Sequence, residues 1–396
     1  MRDSFLIVVL AMLSMVGPLG IDTYLPSFPA IASSFGVSPV VVQQTLSVYL
    51  LCMASMMLFY GTLSDSFGRR SVLLVSLVPF SVTSFAAAFA PSAGVLIFLR
   101  ALQGLAAGAG GVVGRAVVQD HFKGHDAQRA TAVMMMVFGL APAIAPVVGG
   151  WLETMLGWRS VFVFLGGFGV LMLVICYRYL PETLPRNKRA PFALALIARN
   201  YLRCVSHPQF VLMSLSIAFI FAGVALYIGS AAAFVMGILH QPETAFAWLF
   251  IPMIGGMVLG SAAASRLGAQ VAPWRLIAAG FAIMVAAVAL SVGYTGYFVA
   301  KVPYAVAPVF IYTFGLALAM PGMSVRTLNL FPDMSGLAAS MQGFIQMFLF
   351  ALVSGLVSPL LFDSAHKLAM GHAVAVLIGI VLWVVAIRVA PRAQSR

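Results

Sequence analysis

Two ionisable side chains stand where the chain is otherwise apolar. Asp22 closes an uncharged run that begins at Ser4, and Arg100 interrupts a second run between Ala93 and Gly114. A charge inside a bilayer costs several kcal/mol unless it is paired or faces water, so each points to function. Desolvation favours a neutral carboxyl, and a nearby guanidinium favours the charged one. Moving the arginine, wetting the site or admitting a cation would tip that balance and bind or release a proton. Counting along helices places Asp22 roughly two residues, on the order of 3 Å, from the outer end of its span. Arg100 lies roughly six residues, on the order of 9 Å, from the outer end of its own. At those depths the two can pair if their helices face one cavity. The plainer readings are a helix-end aspartate beside Pro26 and Pro29, and an arginine snorkelling over a long reach.

The elements that hold these residues follow from composition. Of 396 residues, 62% are hydrophobic and 8% charged, against about a quarter charged in soluble domains. That excludes a soluble enzyme, a disordered chain and a disulfide scaffold. It leaves an all-α polytopic membrane protein. Charge-free windows give twelve spans, roughly 4–24, 43–63, 71–90, 94–116, 131–154, 158–180, 209–236, 245–267, 274–295, 302–325, 335–361 and 370–390. With the N-terminus in the cytoplasm, the inner side collects Arg2, Arg69, Arg70, Arg115, Lys123, Arg129, Arg178, Arg186, Lys188, Arg189, Arg199, Arg203, Arg266, Arg275, Arg326, Arg388, Arg392 and Arg396. The outer side holds only Arg159, Lys301 and Lys367. This bias puts both termini in the cytoplasm and attributes the net +12 to membrane topology rather than to nucleic acid.

The longest connection, Pro181 to Pro208, carries Arg186, Lys188, Arg189, Arg199 and Arg203 and divides the spans six and six. The expected organisation is a bundle over 1–185, a cytoplasmic linker over 186–208 and a second bundle over 209–396, an arrangement known among transporters. Repeat evidence is faint: Gly61–Gly68 after the second span and Gly260–Gly268 after the eighth. Cys52, Cys176 and Cys204 are too few and too scattered for a disulfide framework. The first apolar run is too long for a cleaved leader and reads as a retained span. Glycine and proline crowd two places. Gly104, Gly108, Gly110, Gly111 and Gly114 line the fourth span. Gly139, Pro142, Pro146, Gly149 and Gly150 mark the fifth, which reads as a bent helix at a moving interface.

These residues resemble a known family. Gly61-Thr-Leu-Ser-Asp65-Ser-Phe-Gly68-Arg69-Arg70 is similar to the signature between helices 2 and 3 of the major facilitator superfamily. Leu99-Arg100-Ala-Leu-Gln103-Gly104 resembles its helix 4 motif. Gly139–Gly150 resembles the helix 5 antiporter motif of drug:proton exporters, with Ala141 where many members have glycine. Gly20-Ile-Asp22-Thr-Tyr-Leu-Pro26-Ser-Phe-Pro29 resembles helix 1 of the Bcr/CflA branch, which exports bicyclomycin and chloramphenicol. Gly157–Phe162, Leu180–Thr183 and Gly336–Ser340 fit the same branch. The resemblance implies a major facilitator fold and drug:proton antiport across the bacterial inner membrane, with proton coupling by Asp22 and Arg100. It also implies that Asp65, Arg69 and Asp120 form a charge relay that latches the cytoplasmic gate in the outward-open state. Drug antiporters that carry a second acid deeper in helix 1 differ here, since Leu10–Met15 has none. A lone acid suits neutral or zwitterionic substrates as well as cations.

A candidate substrate wall is aromatic, Met-rich and nearly uncharged: Tyr24, Tyr49, Met53, Gln103, Met135, Phe138, Phe219, Tyr227, Phe234, Gln342 and Gln346. Such surfaces adapt to varied apolar ligands, although for any one of these residues taken alone a packing or lipid-facing role is the better account. Enzyme motifs are missing: there is no H-E-x-x-H, no G-x-S-x-G and no P-loop. All six histidines read as loop or helix-end residues. His121 and His125 are four apart, but Lys123 and Arg129 beside them argue against a metal. The expectation is therefore a monomeric secondary transporter that uses protons and no cofactor. An exporter or importer of a specific metabolite is the alternative, followed by a non-transporting membrane protein or enzyme.

Overall fold

Long apolar runs must satisfy their own backbone hydrogen bonds in lipid, and helices do so within one segment. The computed structural model describes residues 3–189, 192, 194–268 and 270–389, and every regular element among them is helical. Arg2, Arg392 and Arg396, counted above on the basic side, lie outside the described residues. Among the described residues twelve helices are long and apolar enough to cross a membrane: α1 (Asp3–Phe35), α2 (Pro39–Phe67), α3 (Arg69–Ala88), α4 (Ala93–His121), α5 (Gly124–Leu156), α6 (Trp158–Tyr179), α7 (Pro208–Gly229), α8 (Glu243–Leu267), α9 (Pro273–Tyr297), α10 (Ala307–Leu328), α11 (Pro332–Leu361) and α12 (Ala365–Val389).

One boundary differs in a way that matters. The sequence suggests that Pro26 and Pro29 end the first span. Instead α1 passes through a 3-10 turn at Leu25–Ser27 and continues helical from Phe28 to Phe35, where Gly36 caps it at φ 63°. Each proline sits in the first turn of its segment, where its missing N–H costs nothing. Asp22 therefore lies thirteen residues before the end of α1, well inside it. By contrast, α5 runs as one helix through both Pro142 and Pro146.

The helices form two bundles. In the first, α3 packs on α6 and α4, and α2 packs on α4. In the second, α7 packs on α12, and α10 packs on both α8 and α9. The bundles meet where α2 lies along α11 and α5 along α8. The connection between them is structured too. Its amphipathic helix, Leu194–Val205, turns Ile197, Tyr201 and Cys204 onto a cluster with Phe210, Phe331, Ala338 and Met341. The Tyr201 hydroxyl donates to the Leu58 carbonyl of α2 at 2.6 Å, and Arg203 pairs with Asp333 of α11 at 2.9 Å. Burial pushes the Tyr201 phenol up to about 12, so it remains a donor throughout the physiological range. The linker thus crosses both bundles at the basic end.

The two ends of the bundle interface differ. At the end away from the basic residues, Gln43 donates to Ser354 at 2.8 Å and Gln44 to the Gly355 carbonyl at 3.0 Å, joining α2 to α11. There Gly150 of α5 lies directly against the backbone of Glu243 and Thr244. A stripe of α5 shows the contrast. Pro146 and Gly149 are buried, whereas Met135 and Phe138, three turns nearer the basic end on the same stripe, are exposed by 59% and 46%. At the basic end Gly61 of α2 and Gly336 of α11 face open space. The bundles are thus joined by direct polar contacts at the end away from the basic residues.

Candidate functional site

Arg100 is fully buried on α4. Its Nη1 donates to Gln103 Oε1 at 2.5 Å and its Nη2 to the Gly20 carbonyl of α1 at 2.8 Å. The Tyr24 and Tyr49 rings lie 4.2 and 4.1 Å from its guanidinium carbon. Two aromatic faces and two acceptors suit a planar cation held away from water. Each support is fixed in turn. Gln103 donates to Ser84 of α3 at 2.6 Å, Tyr49 to the Gly17 carbonyl at 3.0 Å, and the Tyr24 hydroxyl meets Thr45 at 3.2 Å. Glycine permits the approach: a Cβ at Gly104 would strike the Tyr49 backbone, and one at Gly20 would strike the Tyr49 hydroxyl. The site ties α1, α2, α3 and α4 together.

Asp22 is buried at 2% exposure, and its Oδ1 has no hydrogen-bond partner. It makes no ion pair with Arg100, contrary to the direct pairing that the sequence suggests. Helical geometry gives the reason. Gly20 and Tyr24 are four apart and share the face that grips Arg100, whereas Asp22, two residues from each, points about 200° round the helix. The next residue, Thr23, presses its carbonyl against Gly149 of α5. Asp22 thus sits on the side of α1 away from the arginine clasp, one residue from a close approach of α1 to α5.

The charges of the Gly61–Arg70 segment do come together. Gly68 turns the chain between α2 and α3 at φ 96°, a conformation that glycine adopts without strain. Arg69 then reaches Asp65 at 2.5 Å, Asp120 of α4 at 3.0 Å and Ser64 at 2.7 Å. Its backbone N–H donates to Glu182 Oε1 at 2.9 Å, and Glu182 pairs with Arg189 at 3.5 Å. Thr183 donates to Asp120 at 3.2 Å. Arg70 stands apart and donates to the Tyr177 carbonyl at 2.6 Å. Ser64, Glu182, Thr183 and Arg189 are the members that sequence reasoning missed. The Leu180–Thr183 motif, an acid just past a span that ends beside basic residues, was the available signal. A Cβ at Gly68 would run into Glu182 and Arg189. Gly68→Ala is therefore expected to cost about 1–3 kcal/mol in backbone strain alone and to spread the cluster. The check is a lower thermal unfolding midpoint together with slowed transport.

The candidate wall residues fall into separate groups. Tyr24, Tyr49 and Gln103 belong to the Arg100 clasp, and Met53 is buried against Gly17 and Gly108. Met135 and Phe138 are exposed on α5. Phe219 on α7 and Gln346 on α11 are half-buried, and Gln342 donates to Ser324 of α10 at 3.1 Å. Tyr227 packs on Phe234 and on His372, each with centroids 5.3 Å apart. His372 also corrects the reading of the histidines. It lies seven residues into α12 and is buried, with Nε2 unpartnered and its ring 3.9 Å from that of Tyr312.

A two-bundle, twelve-helix protein with a buried carboxylate and a buried arginine between apolar helices is built as a membrane carrier. The model of the Major Facilitator Superfamily matches residues 10–359, and the chain belongs to that superfamily of transporters. It is 27% identical over 384 residues to the bicyclomycin resistance protein homolog of Haemophilus influenzae, covering 95% of this chain and 94% of that one. It is also 27% identical over 355 residues to multidrug resistance protein D of Escherichia coli, with 87% and 86% covered. Among solved structures, a D-xylose-proton symporter superimposes with a TM-score of 0.76 at 17% identity, covering all of both chains. The human organic anion transporter MFSD10 gives 0.71 at 16%, covering 98% of this chain and 100% of that one. Those two likenesses concern the fold.

Proposed function

We propose that this chain exports small apolar or weakly polar compounds, of phenicol or bicyclomycin kind, in exchange for protons. It does so as a monomer in the bacterial inner membrane, by alternating access, without ATP or cofactor. The positive-inside rule assigns the basic end and both termini to the cytoplasm. On that assignment the tied end of the bundles faces outward, so we read the conformation as open inward, with the Asp65–Arg69–Asp120 cluster held within the first bundle and exposed Met135 and Phe138 of α5 on the route from the cytoplasm.

One observation carries the coupling assignment: Asp22 is a buried carboxylate with an unpartnered oxygen, next to the α1–α5 contact at Gly149. An unpaired charge there is costly, so binding a proton changes how firmly α1 and α5 pack. A proton taken up from outside by Asp22 in the outward-open state releases the cytoplasmic gate at Asp65, Arg69 and Asp120. Each inward-moving charge contributes about 2.3 kcal/mol per 100 mV. The resistance-type relatives favour drugs over a metabolite as cargo, and the lone acid suits neutral or zwitterionic ones.

The test is a resistance and uptake panel in an efflux-deficient host, covering phenicols, bicyclomycin, sulfonamides, lipophilic cations and nucleosides. Resistance to at least one drug class, abolished by a protonophore, is the expected result. Transport of nucleosides alone would replace the reading with metabolite export.

A further inference from the structure

Between α3 and α6, on the outer surface of the first bundle, runs a groove of about 620 Å³. Leu74, Val75, Val78 and Val174 form its body, and Tyr177 and Arg178 close it at the basic end. Val75 and Val174 are 72% and 53% exposed, so nothing in the chain covers the groove. Arg70 lies beside its mouth. Its guanidinium carbon is 5.6 Å from the centre of the Tyr177 ring, and its Nε is buried without a partner.

The charges here are unbalanced. Arg69 and Arg70 both stand in the first turn of α3, where the helix dipole already repels cations. Arg69 is compensated by Asp65 and Asp120. Neither Arg70 nor Arg178 has a carboxylate within ion-pair distance among the described residues. A second surface groove, near Trp248, Pro303 and Phe310, has no charged residue in its lining. An arginine at the mouth thus distinguishes the α3–α6 groove from this one.

We infer that this groove binds an anionic phospholipid. The acyl chain lies along Leu74, Val75, Val78 and Val174, and the phosphate and anionic headgroup sit between Arg70 and Arg178. A zwitterionic lipid fills the body but brings no net charge, and a free phosphate ester meets the arginines but leaves the body empty. Both arginines belong to helix ends, at the level where headgroups lie. This inference does not depend on what the protein transports.

The test is native mass spectrometry of the full chain in detergent, titrated with phosphatidylglycerol, phosphatidylcholine or water-soluble glycerol 3-phosphate. Phosphatidylglycerol is expected to bind severalfold more tightly than phosphatidylcholine. Arg178→Gln should weaken it about fivefold, the worth of one arginine near a lipid surface. Val75→Trp should weaken it by filling the groove, and both positions are exposed enough to leave folding intact. Arg275→Gln, a basic-end arginine set against Trp274 instead, should change nothing. Equal binding of both lipids, or an equal loss in Arg275→Gln, would show diffuse attraction and overturn the site. Undiminished binding by Val75→Trp, or glycerol 3-phosphate competing at lipid-like concentrations, would overturn the acyl groove.

Discussion

Asp22→Asn is expected to abolish efflux driven by a pH gradient while the protein level in the membrane stays unchanged. Asparagine keeps the size and shape of the side chain, and the site demands no ion pair that an amide would break, because Asp22 is not joined to Arg100. Folding should therefore survive, and the loss should be specific to the proton. Inverted vesicles give the measurement: an imposed gradient drives drug uptake with the native chain and none above background with the variant. A second readout separates coupling from binding. Adding substrate to the purified native chain in weakly buffered solution should release protons, whereas the variant should bind substrate and release none. Full gradient-driven transport by Asp22→Asn would sink the coupling assignment, wherever the substrate sits.

Much of this site was legible before any geometry. The span count followed from the low charge content, and with 22 basic residues against 10 acids each misplaced charge is visible. Asp22 and Arg100 stood out for that reason. Their relation did not. The charge-free window and the prolines after it suggest a span that ends near residue 24, but prolines at the first turn of a new segment let a membrane helix continue. Depth alone suggests pairing, whereas helical phase turns Asp22 away from the face formed by Gly20 and Tyr24. Tyr24, Tyr49 and Gln103 looked like a cargo wall because type alone does not separate an aromatic that binds ligand from one that clasps a buried cation. His372 escaped notice because it lies near the start of its span in sequence, and the close packing of Tyr227 and Tyr312 around it is a tertiary fact. Glu182 was readable as a motif residue but not as an acceptor, since the backbone N–H it serves belongs to Arg69, 113 positions away.

Arg100→Ala should have the largest effect on the fold itself. The substitution deletes two hydrogen bonds and both cation–π contacts, and strands the Gly20 carbonyl and Gln103 Oε1 in an apolar interior. Two buried acceptors left without a donor cost about 1–3 kcal/mol each, a large share of the stability of most proteins. It also loosens α4 from α1, because Gly20 is the direct bond between them at this level. The variant is expected to accumulate poorly, to unfold at a markedly lower temperature in detergent and to transport nothing. Arg100→Lys separates charge from shape. An ammonium keeps the cation and can reach one acceptor, but it has no planar fork to bond Gln103 and Gly20 together or to fill the slot between two rings. An intermediate unfolding midpoint with partial transport would fit a clasp whose geometry matters as much as its charge. If lysine restores both fully, charge alone suffices and the two tyrosines are only neighbours. If alanine is as stable as the native chain, Arg100 does not hold α1 to α4 and its burial must serve the cargo instead.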